Sequence, residues 1–240
     1  MHLNWPQYVA VSVTVAVGAF AQGLVGFGLN LIAAPIVGLV APRMLPAAMV
    51  LVSSPISLTV ALREWRHIDW RGVRWTTLGR LPGTLAGVVV VTLVSQRSLS
   101  AVVGVAVLIA ALVTLIGNHH PITRALSFGA GAASGLMDTT AAVGGPPLAL
   151  LYQHQPAPRV RSTLAACFLA GTVLSLTALG AAGKVEAWHV VTVATLLPAL
   201  AAGLAIAHFA ARRLADRSIR PAVLAFAAAA GLSAIVRALV

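Results

Sequence analysis

The chain has 240 residues, of which 59% are hydrophobic and 9% charged, and its mean hydropathy is +0.95. An ordinary soluble domain has about a quarter of its residues charged, so that class is excluded. The formal net charge of +11 does not point to nucleic acid: the arginines cluster in short linkers, mainly 63–74 and 212–220, as membrane orientation signals do, and aromatic side chains able to stack bases are few.

Apolar stretches follow one another at about 7–40, 44–62, 75–95, 99–117, 122–152, 162–183, 187–210 and 219–239. The linkers are short, so one integral membrane domain in a lipid bilayer is expected, an all-α polytopic membrane protein in the cell membrane. The first stretch has no charged leader ahead of it, and no cleaved signal is expected. Six stretches have ordinary spanning length. As straight helices, 7–40 and 122–152 would each reach about 45–50 Å, against a hydrocarbon core of about 30 Å. Both are interrupted, the first by Gly23, Gly26, Gly28 and Pro35, the second by Gly129, Gly131, Gly135 and Gly144-Gly145-Pro146-Pro147. Gly and Pro weaken a continuous helix, and broken backbone at membrane depth is tolerated only inside protein or along a cavity.

The two long segments resemble each other. Ala21-Gln22-Gly23-Leu24 matches Ala133-Ser134-Gly135-Leu136, and at the same offset Pro35 matches Pro147. Ala41-Pro42-Arg43 recurs as Ala157-Pro158-Arg159, Ser57-Leu58-Thr59 as Ser175-Leu176-Thr177, and Leu81-Pro82 with Gly87 as Leu197-Pro198 with Gly203. Matches in one order with a slowly drifting offset point to duplication, with halves at 1–118 and 119–240.

Charge then selects a topology. If every segment crosses once, the basic loops 63–74 and 212–220 fall on opposite sides, against the positive-inside rule. If 7–40 and 122–152 are re-entrant hairpins of two half-helices, both loops become cytoplasmic. The expected plan is therefore two inverted repeats, each a broken re-entrant hairpin followed by three transmembrane helices, with both termini outside. Trp65, Trp70 and Trp75 flank one basic loop, where a headgroup-level belt belongs.

In such a plan the hairpin tips meet near the midplane, and half-helix N-termini turn their free N–H groups toward a shared cavity. The first tip offers Gln22, Gly26, Phe27, Gly28 and Asn30; the second offers Ser134, Asp138, Thr139, Thr140, Gly144 and Gly145. Each glycine serves close helix packing about as readily as ligand approach, and membrane amides often bridge helices. Asp138 is the one acidic residue within a membrane segment. Such a carboxylate costs at least about 2.5–3.5 kcal/mol to insert, which makes it a candidate for proton or sodium coupling, with helix capping as the structural alternative. Arg80 is the matching cation, either snorkelling to the interface or holding an anion at the cavity mouth. Ser53 and Ser54 in one half, and Thr172 to Ser175 in the other, sit at equivalent depth, although hydroxyls also bond back to their own helix.

Cys167 is the single cysteine and allows no internal disulfide. No Cys/His group has metal-ligand spacing, and His119-His120 reads as a solvated loop pair, so no metal or other cofactor is expected. A phosphate loop of the Walker type is lacking, so ATP is not the expected energy source. Intramembrane proteolysis would need a second carboxylate, or a Ser/His pair where His189 and His208 only lie near segment ends; an enzyme is not expected.

The Gly-rich first hairpin with Pro35, the second ending in Gly144-Gly145-Pro146-Pro147, and the loop His67-Ile68-Asp69-Trp70 together resemble the sulfite exporter TauE/SafE family of membrane permeases. Lys184-Val185-Glu186 looks like the second-half counterpart of that loop. The resemblance covers essentially the whole chain. It implies export of a small sulfur-containing or organic anion such as sulfite or a sulfonate, and a homodimer is compatible with it. The family's second hairpin is commonly a run of glycines; here Asp138-Thr139-Thr140-Ala141-Ala142 stands before Gly144. A channel-like pore and a non-transporting membrane assembly protein are the alternative functions.

Overall fold

The computed structural model describes residues 3–95 and 121–211, and between them only Val102, Val105, Leu108 and Ile109, all helical. The rest of the expected helix at 99–117, the helix at 219–239, the basic loop 212–220, Arg97, Arg237 and His119-His120 lie outside the described residues. Eight α-helices are delimited among the described residues: α1 (Trp5–Val25), α2 (Leu29–Val40), α3 (Ala47–Arg63), α4 (Trp70–Leu93), α5 (Arg124–Ala141), α6 (Gly145–Tyr152), α7 (Ala157–Ala181) and α8 (Ala187–Ala211). No strand occurs among the described residues. Among the described residues four helices, α1, α4, α7 and α8, are long and apolar enough to cross a membrane.

Solvent preference is written on the outer faces. Val9, Val13 and Val17 form an exposed stripe on α1, and Leu81, Leu85 and Val89 one on α4, while Arg80, Asp138, Ser134 and Thr139 are buried. Polar groups inside and apolar groups outside suit a chain whose surroundings are lipid.

The α1–α2 pair is a helical hairpin. Asn4 and Gln7 form a reciprocal capping box that starts α1. Gly26 ends it with φ 92°, and Gly28 enters α2 with φ 129°, both in a region that glycine adopts without a Cβ clash. The chain then doubles back: Leu29 packs on the bare Cα of Gly18, and Gln7 Nε2 donates to the Val40 carbonyl at 2.9 Å. Eleven residues separate Gln7 from Gly18 and eleven separate Leu29 from Val40, so the paired arms are matched over about 16 Å at helical rise. That is about half of a hydrocarbon core of about 30 Å.

The α5–α6 pair repeats the device with other residues. Thr123 caps α5 by accepting from Leu126 N–H at 3.2 Å. Ala142 ends it at φ 58°, a left-handed conformation that costs a non-glycine residue about 1–2 kcal/mol. Pro146 and Pro147 occupy the first turn of α6, where missing N–H groups break no helical bond.

The half-helix expectation is corrected in both hairpins. The first arms are not half-helices: α1 has 21 residues and α5 has 18, against 12 in α2 and 8 in α6. Gly23, Gly129, Gly131 and Gly135 remain helical; neighbouring backbone packs on two of these turns, Gly131 against the Thr76 carbonyl and Gly135 against that of Arg80. Likewise Pro35 does not interrupt its segment. It sits inside α2, which continues to Val40. Arg71 and Arg74 belong to the first turns of α4 rather than to a loop, because Asp69 caps that helix from Gly72 N–H at 3.1 Å.

Between elements, α1 packs mainly on α8, α4 on α5, and α3 on α7. One end of the bundle gathers the α3–α4 turn and both ends of the second hairpin. There Arg161 pairs with Glu64 at 2.7 Å and Arg159 with Asp69 at 3.4 Å; Tyr152 donates to Asp69 at 3.2 Å, and Arg124 lies over the Trp75 ring at 5.7 Å. The loop His67-Ile68-Asp69-Trp70 is thus a structural junction. Its Asp69 N–H also donates to Thr163 Oγ1 at 3.0 Å. At the opposite end the α7–α8 turn closes on the segment after α2, where His189 Nε2 lies 3.3 Å from the Arg43 carbonyl.

Candidate functional site

The two hairpin tips meet. Gln22, Phe27, Gly28 and Asn30 from the first, and Asp138, Gly144 and Gly145 from the second, line one cavity of about 30 Å³ together with Ser53 of α3 and Thr172 of α7. That volume accommodates about two water molecules. Helix geometry sets the wall. Gln22, within the last turn of α1, is 5% exposed and its Oε1 accepts from Leu29 N–H at 3.3 Å, which tethers the start of α2. The first intrahelical donor of α2 is Ile32 N–H, to the Gly28 carbonyl at 3.0 Å, so the amides of Asn30 and Leu31 precede the ladder. Asn30 Nδ2 donates to the Met49 carbonyl at 3.1 Å, and its buried Oδ1 has no partner among the described residues.

Charge enters through one pair. Arg80 on α4 is fully buried; its Nη2 binds Asp138 Oδ2 and its Nη1 donates to Ser134 Oγ at 2.9 Å. Ser134 Oγ in turn donates to the Gly144 carbonyl at 2.6 Å, so the pair is tied to the second hairpin's break. Ser175 of α7 reaches Asp138 Oδ2 at 3.4 Å, and Thr139 Oγ1 lies 3.0 Å from Ser175 Oγ. The guanidinium rests against the Cα of Gly171. Snorkelling is therefore corrected: Arg80 turns inward, because a buried carboxylate one helix away offers more than the distant interface. Asp138 faces the cavity; Arg80 supports it from behind and is not part of the lining.

Other expected positions fall outside the cavity. Gly26 packs against Arg161. Ser54 and Thr140 bond back to the carbonyls of Leu51 and Leu136, at 2.7 and 2.8 Å, Ser134 joins Arg80 to the Gly144 carbonyl, and Thr139 bonds Ser175. Ser53 lines the cavity while donating to the Val50 carbonyl at 2.9 Å. Phe168 of α7 was not singled out from the sequence and also lines it, as do Leu31, Ala142, Val143 and Pro146. Phe168 carries no sequence signal beyond lying four residues before Thr172, one helical turn away.

Fold and site define a polytopic α-helical membrane protein whose two broken hairpins enclose a polar centre. Against known proteins, the sulfite exporter TauE/SafE family model matches residues 10–234. The chain belongs to that family, a family of membrane transporters. A probable sulfite/organosulfonate exporter TauE from Cupriavidus necator is 28% identical over 149 residues, a match covering 58% of each chain. The chain thus spans less than two thirds of the curated relative it matches. No solved structure matches it.

Proposed function

We propose that this chain is a secondary transporter that exports a small sulfur-containing anion, sulfite or an organosulfonate, by alternating access between two inverted halves. The observation that carries the reading is the meeting of both hairpin tips at one cavity with Gln22, Asn30 and Asp138 in its wall. Three further features support it. The first hairpin opens toward the α7–α8 turn and the second toward the α3–α4 turn, as opposed repeats would. Arg63, Arg66, Arg71, Arg74, Arg124, Arg159 and Arg161 gather at the α3–α4 end, against Arg43 and Lys184 at the other, which favours a cytoplasmic α3–α4 end. The relative from Cupriavidus necator is named for sulfite and organosulfonates.

The wall chemistry is compatible with an anion only because Asp138 is already paired. Arg80 neutralises it, and the Asn30 and Leu31 amides at the N-terminus of α2 supply partial positive charge. Pro146 and Pro147 remove two donors from α6, so α2 is the main amide donor. A cavity of about 30 Å³ is too small for an organosulfonate, so the site must widen to admit one. Asp138 is the group through which a proton or sodium gradient would couple.

Flux into proteoliposomes, with sulfite and sulfoacetate as probes and with or without pH and sodium gradients, tests the reading. Saturable flux that is lost in an Asp138→Asn variant that still folds supports it. Non-saturating flux would favour a channel, and a folded protein that carries neither anion would refute the reading, leaving the assembly role.

A further inference from the structure

A second polar hollow lies at the arginine-rich end, apart from the central cavity. It encloses about 360 Å³ between the tip of α1 and the ends of α3 and α8. Arg63, Arg161 and His208 face it, together with one carboxylate, Glu64. Glu64 is engaged: Arg161 Nε and Nη2 both donate to its Oε1, at 3.2 and 2.7 Å. Arg63 pairs with no carboxylate among the described residues; its Nη1 lies 3.4 Å from Nδ1 of His208, a base. Among the described residues, therefore, the guanidinium of Arg63 in this hollow is uncompensated, and apolar side chains such as Leu24 and Leu204 make up much of the remaining wall.

Its inner wall is the turn of α1 that also bounds the central cavity. Gln22 faces the cavity, whereas Gly23 and Leu24 face the hollow, and Gly26 of the same tip packs on Arg161. The hollow has the volume of a small-ligand pocket, which the cavity lacks.

We propose that this hollow is a second anion-binding site, a loading station for an oxyanion with a short apolar body, separated from the central cavity by the tip of the α1–α2 hairpin. It rests on the transporter reading above. The planar guanidinium of Arg63 recognises the oxyanion head, the apolar wall takes the carbon chain, and the positive charge concentrates anions at this face.

Flux of sulfoacetate added to either face of proteoliposomes holding the full chain in one orientation tests this. The readout is the ratio of the half-saturating concentrations at the two faces. Arg63→Gln should raise that ratio toward the arginine-rich face by about tenfold, the worth of one charge-assisted hydrogen bond. Asn30→Ala, in the central cavity, should weaken both faces and leave the ratio as it was. An unchanged ratio in both Arg63→Gln and His208→Gln overturns the proposal. So does a shift that occurs only in vesicles containing phosphatidylglycerol and vanishes in pure phosphatidylcholine, because the hollow would then hold a lipid headgroup. If Arg63→Gln does not fold, Leu204→Cys decides: sulfoacetate should slow its alkylation by a charged reagent, and no slowing overturns the site. That protection assay also separates the two readings, since it reports the hollow even where no anion is carried.

Discussion

The guanidinium of Arg80 lies over the bare Cα of Gly171, where a methyl group would overlap it. Arg80 reaches Asp138 across the α4–α5 interface only because α7 is notched at that point. Gly171→Ala should push the guanidinium off its partner and leave a buried carboxylate uncompensated. Breaking a buried pair costs about 3–5 kcal/mol, so thermal unfolding in detergent should fall steeply and flux should be lost. Wild-type stability in Gly171→Ala would show that the guanidinium has another resting place.

Removing either charge alone should destabilise the protein by a similar amount, whereas Arg80→Met combined with Asp138→Leu should recover much of it, since no lone charge remains buried. Transport should stay absent in the double variant. A double variant that carries anion at the normal rate would remove Asp138 from the site.

Helix glycines should divide by what faces them. Gly131 lies against the Thr76 carbonyl, while nothing lies within 4 Å of the Cβ position at Gly129. Gly131→Ala should therefore cost about 1–3 kcal/mol by overpacking. Gly129→Ala in the same helix should be neutral or stabilising by up to about 1 kcal/mol. Chemical or thermal unfolding of the pair gives the comparison, and equal effects would contradict the close α4–α5 packing.

Ala142 offers a gain. Its left-handed backbone, φ 58°, is strained for alanine, so Ala142→Gly should stabilise the second hairpin by about 1 kcal/mol. Because the residue lines the cavity, flux measured alongside melting shows whether the strain serves transport or only folding.

Topology can be read by labelling. Single cysteines at Arg66 and Arg124 should react from one face of the membrane, and one at Lys184 from the other. Labelling of Arg124→Cys and Lys184→Cys from the same face would dismantle the re-entrant second hairpin, because 122–152 would then cross the membrane once before 162–183 crosses back.

Periodicity and length made the membrane helices legible from sequence, and Gly26, Gly28 and Gly144 marked the breaks because glycine and proline act locally. What stayed hidden was lateral. Arg80 and Asp138 stand 58 positions apart, and nothing local joins them. Their being opposite charges within apolar segments was the available hint, since each alone is costly in lipid. Glycines at 129, 131 and 135 misled for the same reason: intrinsic propensity marks them as breaks, and tertiary backbone contact keeps most of those turns helical. Phe168 was illegible because an aromatic residue in an apolar helix faces lipid or protein with equal local logic.

The neutral pairing of Arg80 with Asp138 also bears on energetics. Among the described helices these are the charges at depth, and they cancel, so under the proposed alternating access the site would carry no net charge of its own. If a monovalent anion crosses alone, each outward cycle then moves one negative charge from a cytoplasmic α3–α4 end. An inside-negative membrane potential favours that direction by about 2.3 kcal/mol per 100 mV. The resting voltage of the cell would itself be a motive force for export, and the current carried should reverse with the sign of an imposed potential.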